Sequence, residues 1–226
     1  MNLSPIVMFV YNRPWHTQKT IEALKNNELA SESELFIYAD NAKNNKIDEQ
    51  VLKVRKYIKK IDGFKKVTII EREKNWGLSK SIIDGVTKVI NKYGRVIVLE
   101  DDLVTSAMFL KYMNNVLITY KDEPNVMQIS GHMFNVNLNN DNYDAFFLPF
   151  TTSWGWATWK EKWDFFDPTT KIYKQIKNDP IQISSFDLNN SYPYFKMLEE
   201  QIAGKIDSWA IIWYSNVFIR ENCRAY

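Results

Sequence analysis

The sequence lacks the features that mark secreted, membrane-spanning and nucleic-acid-binding proteins. Its only cysteine, Cys223, cannot form a disulfide within the chain. There is no N-terminal signal pattern and no apolar run of about 18 residues that could cross a membrane. The 29 Lys and Arg residues almost balance the 27 Asp and Glu residues, which gives no strong electrostatic footprint for a nucleic acid. Lysines gather near residues 43–74, and we interpret that cluster as a solvated helix face. We therefore expect a cytoplasmic protein without a nucleic-acid partner, and peripheral contact with the inner face of a membrane stays open.

Repeats and flexible linkers are also absent. No internal repeat and no stretch rich in proline, glycine or serine divides the 226 residues, of which 45% are hydrophobic. A chain of this length and composition can bury a substantial core. We predict one domain over residues 1–226, and its oligomeric state is not determined by the sequence.

What the sequence does contain, over its first 102 residues, is an alternation of short apolar runs and helical patterns. Four apolar runs predict strands, at 5–11, 35–39, 66–71 and 96–99. Between them, apolar residues recur at helical spacing in three segments, at 15–26, 47–61 and 78–93. This order requires crossover connections, so we predict an α/β fold with a mainly parallel central sheet and helices on both faces.

The second half predicts mixed strands and helices. Thr105 or Ser106 can cap a helix that runs to Tyr120. Further elements are predicted as strands at 126–130 and 146–150 and as helices at 194–203 and 209–217. The segment 154–163, which holds four of the eight tryptophans, predicts a loop entering a helix, with its tryptophans at 156, 159 and 163 half in the core. Residues 164–192 have no clear pattern.

Three carboxylates, Glu100, Asp101 and Asp102, follow directly on the buried apolar run of the fourth strand. Such charge belongs at the carboxyl end of the strand, where open α/β sheets have their ligand crevice. Neighbouring carboxylates repel one another unless a cation lies between them, and hard oxygen ligands favour Mn²⁺ or Mg²⁺. The triplet therefore predicts a divalent metal that meets a phosphate, and the alternative is a solvated acidic turn.

Polar residues follow the other strands of the predicted sheet. Asn12 and Arg13 come after the first strand, and Asp40 comes after the second. Asn75 and Gly77 precede a helix, where the backbone can approach a phosphate or sugar closely. Because the ends of parallel strands meet at one edge of a sheet, these residues together predict a site for a nucleoside diphosphate sugar.

Four segments together resemble glycosyltransferases of the A-type nucleotide-diphospho-sugar fold. They are Tyr11-Asn12-Arg13-Pro14, Glu71-x-x-x-Asn75-x-Gly77, Val98-Leu99-Glu100-Asp101-Asp102 and Ser153-Trp154-Gly155-Trp156. The chain resembles bacterial family-two-like sugar transferases and, more remotely, the family of the N-acetylglucosaminyltransferase that initiates complex N-glycans. The resemblance covers residues 4–220. It implies a Rossmann-like fold with a nucleotide-sugar-binding half at 1–104 and an acceptor-side half at 105–226.

The resemblance also implies roles for individual residues. Asp102 would bind the metal, Glu100 and Asp101 would hold the ribose and the sugar, and Asp40 would contact uracil. Tyr11, Asn12, Arg13, Asn75 and Gly77 would complete the nucleotide-sugar site. Asp207, in a segment that has two adjacent acids in the related family and Asp-Ser here, would be the catalytic base.

Alternatives to these assignments stay open. Asp207 can instead be the N-cap of the last helix, and Asp164, Asp167, Glu199 or Glu200 can be the base. His132, Trp154, Gly155 and Trp156 are candidates for the acceptor side, where an aromatic platform suits a sugar. No histidine follows His132 that could hold a metal or diphosphate, and the chain stops soon after a helix, so we expect a truncated C-terminus.

The function implied is that of a metal-dependent glycosyltransferase. It would move a sugar from a UDP-sugar to a glycan or a lipid-linked saccharide, with inversion, in surface polysaccharide or glycoconjugate biosynthesis. The transferred group would be a hexosyl or N-acetylhexosaminyl group. One alternative is a sugar-phosphate nucleotidyltransferase, although such enzymes have a glycine- and lysine-rich loop where this chain has Asn12-Arg13-Pro14. The other is a nucleotide- or glycan-binding module without turnover.

Overall fold

A computed structural model describes residues 3–43, 48–133 and 147–220, together with the backbone of residues 224–225. The strands are β1 Ile6–Val10, β2 Glu34–Ala39, β3 Lys66–Glu71, β4 Arg95–Glu100, β5 Val126–Ser130, β6 Trp156–Trp159 and β7 Arg224–Ala225. The helices are α1 Pro14–Lys25, α2 Glu49–Ile58, α3 Leu78–Tyr93, α4 Phe109–Thr119, α5 Lys160–Trp163, α6 Ile172–Ile176, α7 Pro180–Phe186, α8 Tyr194–Ile202 and α9 Trp209–Phe218.

The strands form one sheet in the order β3-β2-β1-β4-β6-β5-β7. β1 pairs in parallel with β2 on one side and with β4 on the other, and Phe9 lies opposite both Tyr38 and Glu100. β2 pairs in parallel with β3. The carboxyl ends of the first four strands therefore share one edge of the sheet. The predicted mainly parallel α/β sheet with flanking helices is confirmed.

Two apolar layers cover the two faces of the sheet because alternate residues of a strand point in opposite directions. In β1, Ile6 and Met8 contribute to the layer that includes residues of α1, α2 and α4. Val7 and Phe9 contribute to the opposite layer, with residues of α3 and α9. All five residues of β1 are buried, as the unbroken apolar run predicts for a central parallel strand.

The tryptophan-rich segment differs from its prediction. Residues 156–159 form β6, which lies antiparallel between β4 and β5, and only the four residues of α5 that follow are helical. Trp156 packs in one apolar layer and Trp159 in the other. The prediction was wrong because a spacing of three places residues on one face of a helix but on opposite faces of a strand. Backbone pairing to β4 decided between the two.

Smaller differences concern element boundaries and the segments with weak patterns. Neither Thr105 nor Ser106 caps α4, which begins at Phe109 after Met108. The helix predicted at 47–61 is shorter and begins after Asp48, whose carboxylate accepts the backbone N–H groups of Gln50 and Val51. The region without a clear pattern holds α6 and α7. Residues 147–150 contain no regular strand, and residue 146 lies outside the described ranges.

Candidate active site

A cleft of about 390 Å³ opens at the edge of the sheet where β1, β2 and β4 end. We name it the strand-end cleft, and its lining residues are Phe9, Val10, Tyr11, Arg13, Tyr38, Asp40, Lys43, Asn75, Gly77, Leu78, Ser81, Glu100, Asp101 and Asp207. The fold therefore brings together Asp207 and all but one of the residues predicted to bind the nucleotide sugar. The exception is Asn12, which lies between two lining residues but does not itself line the cleft.

Asp101 is the buried member of the acidic triplet, with 2% of its surface exposed. Its carboxylate accepts a hydrogen bond from the backbone N–H of Tyr11 at 3.3 Å and another from the guanidinium of Arg13. Burial raises the pKa of Asp101 above its ordinary value, although the positive charge of Arg13 opposes that shift. The ends of β1 and β4 are thus joined through this carboxylate.

Arg13 contacts a second acid of the triplet. Its Nη1 donates to Oδ2 of Asp102 at 2.9 Å, while Nη2 pairs with Asp101. The side chains of Arg13 and Asp102 are 44% and 42% exposed, so this pair lies at the mouth of the cleft. The negative charge of the two aspartates raises the pKa of the guanidinium, against the opposing effect of its partial burial. One arginine therefore neutralises charge on two neighbouring carboxylates.

Glu100 ends β4 and lines the same cleft. Burial, together with the nearby negative charges of Asp102 and Asp101, raises the pKa of its carboxyl group to about 7. Arg13 and a hydrogen bond from the side chain of Trp209 lower it. Trp209 begins α9, so the last helix of the chain contacts the acidic strand end directly.

Asp40, which follows β2, holds the loop before α3 in place. Its Oδ1 accepts the backbone N–H of Asn41 and of Trp76, both at 2.9 Å, and its Oδ2 accepts that of Gly77 at 3.0 Å. The side chain of Asn75 donates to the carbonyl of Asn41 at 2.6 Å. The predicted contact of Asp40 with uracil stays a prediction. Its three backbone partners give the residue a structural role as well.

Gly77 precedes α3 in a conformation that favours glycine, with φ +76° and ψ 168°. No side chain caps this helix N-terminus. A Cβ atom added at Gly77 would lie 3.3 Å from Oδ2 of Asp207. The loop before α3 and the segment before α9 therefore approach each other closely across the cleft.

Asp207 is not the cap of the last helix. That cap is Ser208, whose hydroxyl accepts the backbone N–H of Ile211 at 3.4 Å. The alternative role considered for Asp207 is therefore wrong. The side chain of Asp207 is exposed and its carboxylate lines the strand-end cleft, and it makes no hydrogen bond or ion pair within the described ranges.

The competing bases lie elsewhere. Asp164 forms an ion pair with Lys160, and Asp167 forms one with Lys171 at 2.7 Å. Hydrogen bonds from Lys171 and Thr169 lower the pKa of Asp167 to about 2, and it lines a separate cavity behind α9. The other two acids, Glu199 and Glu200, lie on α8 and line neither the strand-end cleft nor that cavity. The geometry therefore favours Asp207.

A second cleft, of about 600 Å³, lies beside the first. We name it the Trp154 cleft, and its lining residues are Leu99, Asp102, Leu103, Val104, Thr105, Ser106, Phe109, Gly131, His132, Trp154 and Gly155. The rings of His132 and Trp154 meet edge to face, with centroids 4.6 Å apart. Three of the four predicted acceptor-side residues are thus together, next to Asp102.

The prediction was wrong for the fourth residue, Trp156. Only 1% of it is exposed, and its ring stacks on Trp209 with centroids 5.0 Å apart. A saccharide cannot reach this ring, because β6 directs it into the apolar layer beneath α9. Trp156 supports Trp209, which in turn contacts Glu100.

The donor atoms fit a metal only if a ligand completes its coordination. Within the described ranges, no three His, Cys, Asp or Glu residues form a group that could hold a metal by themselves. Asp102 offers an accessible carboxylate that also faces Arg13. Mg²⁺ and related cations commonly bind one or two carboxylates together with substrate phosphates. The residues present fit that second kind of site.

Several lining residues were not predicted from the sequence. The rings of Phe9 and Tyr38 form part of the wall, stacked with centroids 5.5 Å apart. Ser81, one turn into α3, lines the cleft with a hydroxyl that has no hydrogen-bond partner in the described part of the chain. The sequence does not single out such wall residues, because a strand residue that lines a cleft and one in the core both carry apolar side chains. The link between Trp209 and Glu100 had no signal in the sequence.

Comparison with known proteins agrees with this architecture. The sequence model of the family described as Glycosyl transferase family 2 matches residues 6–181. The mannosyltransferase PcManGT from Pyrobaculum calidifontis, solved in complex with GDP-Man and Mn²⁺, has a TM-score of 0.52 at 11% identity, covering 96% of this chain and 69% of that one. S. aureus TarS 1-349 has a TM-score of 0.53 at 13% identity, covering 100% of this chain and 58% of that one. No curated protein sequence matches significantly.

The longest described helix, α3, has 16 residues. None of the helices in the described ranges combines the length and the hydropathy that crossing a bilayer requires.

Proposed function

We propose that the strand-end cleft binds a UDP-sugar and that the Trp154 cleft binds a saccharide acceptor. The chain belongs to glycosyl transferase family 2. Family membership makes the protein a glycosyltransferase of the A-type fold. It thereby favours sugar transfer over the nucleotidyltransferase alternative. The nucleotide, the metal, the stereochemistry and the acceptor belong to the proposal.

One observation carries the proposal: the acidic strand end separates the two clefts. Glu100 and Asp101 line the strand-end cleft, whereas Asp102 lines the Trp154 cleft. A donor bound along the first cleft can therefore present its sugar to an acceptor in the second. An exposed tryptophan beside His132 provides a ring face on which a sugar can stack.

The proposed reaction assigns a role to each group. The oxygen of the acceptor hydroxyl forms a bond to the anomeric carbon as the bond from that carbon to the diphosphate breaks, which releases UDP with inversion. Asp207 accepts the hydroxyl proton as general base. Asp102 would hold Mn²⁺ or Mg²⁺, which when bound supplies positive charge to the leaving diphosphate. Glu100 and Asp101 position the ribose and the sugar, and Asp40 contacts uracil.

The donor base needs a direct test, because the similar mannosyltransferase was solved with a guanosine nucleotide. UDP is titrated calorimetrically into the protein with and without Mn²⁺, with GDP and CMP as controls. We expect binding that is selective for UDP and stronger with the metal. Selectivity for GDP would contradict the uridine assignment, and no binding of any nucleotide would contradict the assignment of the strand-end cleft as a donor site.

Turnover and acceptor class require a second assay. We propose a glycan or lipid-linked saccharide in surface polysaccharide assembly as the acceptor and a hexosyl or N-acetylhexosaminyl group as the transferred sugar. Release of UDP is measured with a panel of UDP-sugars, each with and without saccharide acceptors. Release that requires an acceptor is expected. Nucleotide binding without acceptor-dependent release would support the non-catalytic alternative.

A further inference from the structure

Arg13 contacts Asp102, the accessible carboxylate of the acidic triplet that the proposed metal needs. Its guanidinium donates to Oδ2 of Asp102 at 2.9 Å and at the same time pairs with the buried Asp101. These are charge-assisted hydrogen bonds, which are stronger than hydrogen bonds between neutral groups. A cation that binds Asp102 must therefore compete with Arg13, which already neutralises the negative charge of that carboxylate.

Arg13 also lines the strand-end cleft, where the donor diphosphate is proposed to lie. The guanidinium fork matches phosphate oxygens as well as it matches a carboxylate. Nearly half of the side chain is exposed. The group is thus accessible to an anion that enters the cleft, while the pairing of its Nη2 to Asp101 keeps the guanidinium near the strand end.

We infer that Arg13 is an internal counter-cation that holds Asp102 until a nucleoside diphosphate draws the guanidinium away, so that the metal binds tightly only together with the nucleotide. The inference rests on the proposed function, because it assumes that Asp102 is the metal ligand. Arg13 is here a positioning residue: it acts on the metal through Asp102. Its effect is to couple the two ligands, and such a coupling is reciprocal.

Replacement of Arg13 by glutamine separates this role from a structural one. Without nucleotide, we expect R13Q to bind Mn²⁺ about 10-fold more tightly than the parent protein, because the cation no longer competes with a charge-assisted hydrogen bond. That factor is at the low end for such a bond, since both side chains are partly exposed and solvent screens them. Without metal, we expect R13Q to bind UDP about 10-fold more weakly. A folding defect would weaken the binding of both Mn²⁺ and UDP. Tighter binding of Mn²⁺ together with weaker binding of UDP therefore identifies the proposed role.

Three further variants are matched controls. R13K keeps the charge but not the fork, and we expect its Mn²⁺ affinity to lie between those of the parent and R13Q. Lys19→Gln removes the same charge from the exposed side of α1, where Lys19 pairs with Glu22 at 3.5 Å, and should leave Mn²⁺ affinity unchanged. Adding Asp102→Asn to R13Q should abolish the gain, because the carboxylate that was released is then absent.

The measurement is the concentration of free Mn²⁺ followed by electron paramagnetic resonance, with no nucleotide, with uridine and with UDP. In the parent protein UDP should tighten Mn²⁺ binding and uridine should not, and in R13Q the effect of UDP should be about 10-fold smaller. If the parent protein binds Mn²⁺ with UDP but R13Q gains no affinity without it, the counter-cation role is refuted and the proposed function stands. If neither protein binds Mn²⁺ under any condition, the proposed metal site fails and the inference fails with it.

Discussion

Replacement of Gly77 by alanine tests whether Asp207 needs unobstructed access to the strand-end cleft. At φ +76° and ψ 168° the backbone is in a region nearly exclusive to glycine, so we expect a stability loss of about 1–3 kcal/mol. The added Cβ would lie 3.3 Å from Oδ2 of Asp207, which forces the carboxylate to move by a few tenths of an ångström. A displacement of about 1 Å at a reacting group can cost about 10²-fold in rate, so we expect transfer to fall about 10-fold.

Gly94 offers a matched control at the other end of the same helix. It also has a positive φ, +78°, but a Cβ there would meet nothing within 4 Å. Gly94→Ala should therefore lose a similar amount of stability, about 1–2 kcal/mol, through backbone strain alone. For a chain of this size that corresponds to a fall of the melting temperature of about 2–4 °C per kcal/mol. We expect its transfer rate to match that of the parent protein.

The assay is UDP release at saturating UDP-sugar and acceptor, at a temperature where both variants are folded. Calorimetric titration of UDP is run beside it, because the N–H of Gly77 also bonds Asp40 and alanine could disturb donor binding. A loss of turnover with nearly unchanged UDP affinity is the expected result. Equal turnover in the Gly77→Ala and Gly94→Ala variants would refute the idea that catalysis by Asp207 depends on the open space beside Gly77.

Four other perturbations address single groups. Asp207→Asn should leave UDP binding intact and slow transfer by about 10²-fold or more, the usual scale for a positioned base, and unchanged turnover would exclude that role. Asp102→Asn should abolish the tightening of UDP binding by Mn²⁺ in calorimetry without lowering the melting temperature, and a retained metal effect would remove the metal assignment. Trp154→Ala should raise the acceptor KM about 10-fold with little change in the KM for the donor, whereas an unchanged acceptor KM would place the acceptor elsewhere. Burial raises the pKa of Glu100 to about 7 from an ordinary value of 4.5, so the folded protein holds more protons than the unfolded chain between these pH values and stability falls as pH rises through them. Glu100→Gln should flatten the dependence of the melting temperature on pH in that window, and an unaltered slope would show that another group causes it.

The elements of the first half could be predicted because their burial is periodic in the chain. In α3, Ile82, Val86 and Val89 recur at spacings of four and three and all face the sheet. β1 is buried on both faces and is therefore a continuous apolar run. Local spacing is enough here, since each residue faces the same layer as its neighbour one turn or two residues away.

The place of the polar residues at the strand ends could also be predicted from the sequence. Parallel strands joined by crossover helices bring their carboxyl ends to one edge, so Arg13, Asp40 and Asp101 had to lie near one another. Which of them would touch was not predictable. The pairing of Arg13 with two acids, and the use of Asp40 to hold the loop before α3, depend on side-chain distances of a few ångströms that no sequence pattern specifies.

In the second half, contacts between distant segments decided the structure. The spacing of the tryptophans fits a helix or a strand, and the unpaired edge of β4 selected the strand by offering backbone hydrogen bonds. Asp207 and Ser208 are both good helix caps by residue type, and the capping hydrogen bond to Ile211 chose Ser208, which leaves Asp207 to face Gly77. The acids and the fold class follow from local chemistry and periodicity. The meeting of α9 with the acidic strand end follows only from the packing of Trp156 against Trp209 within the apolar layer that they share.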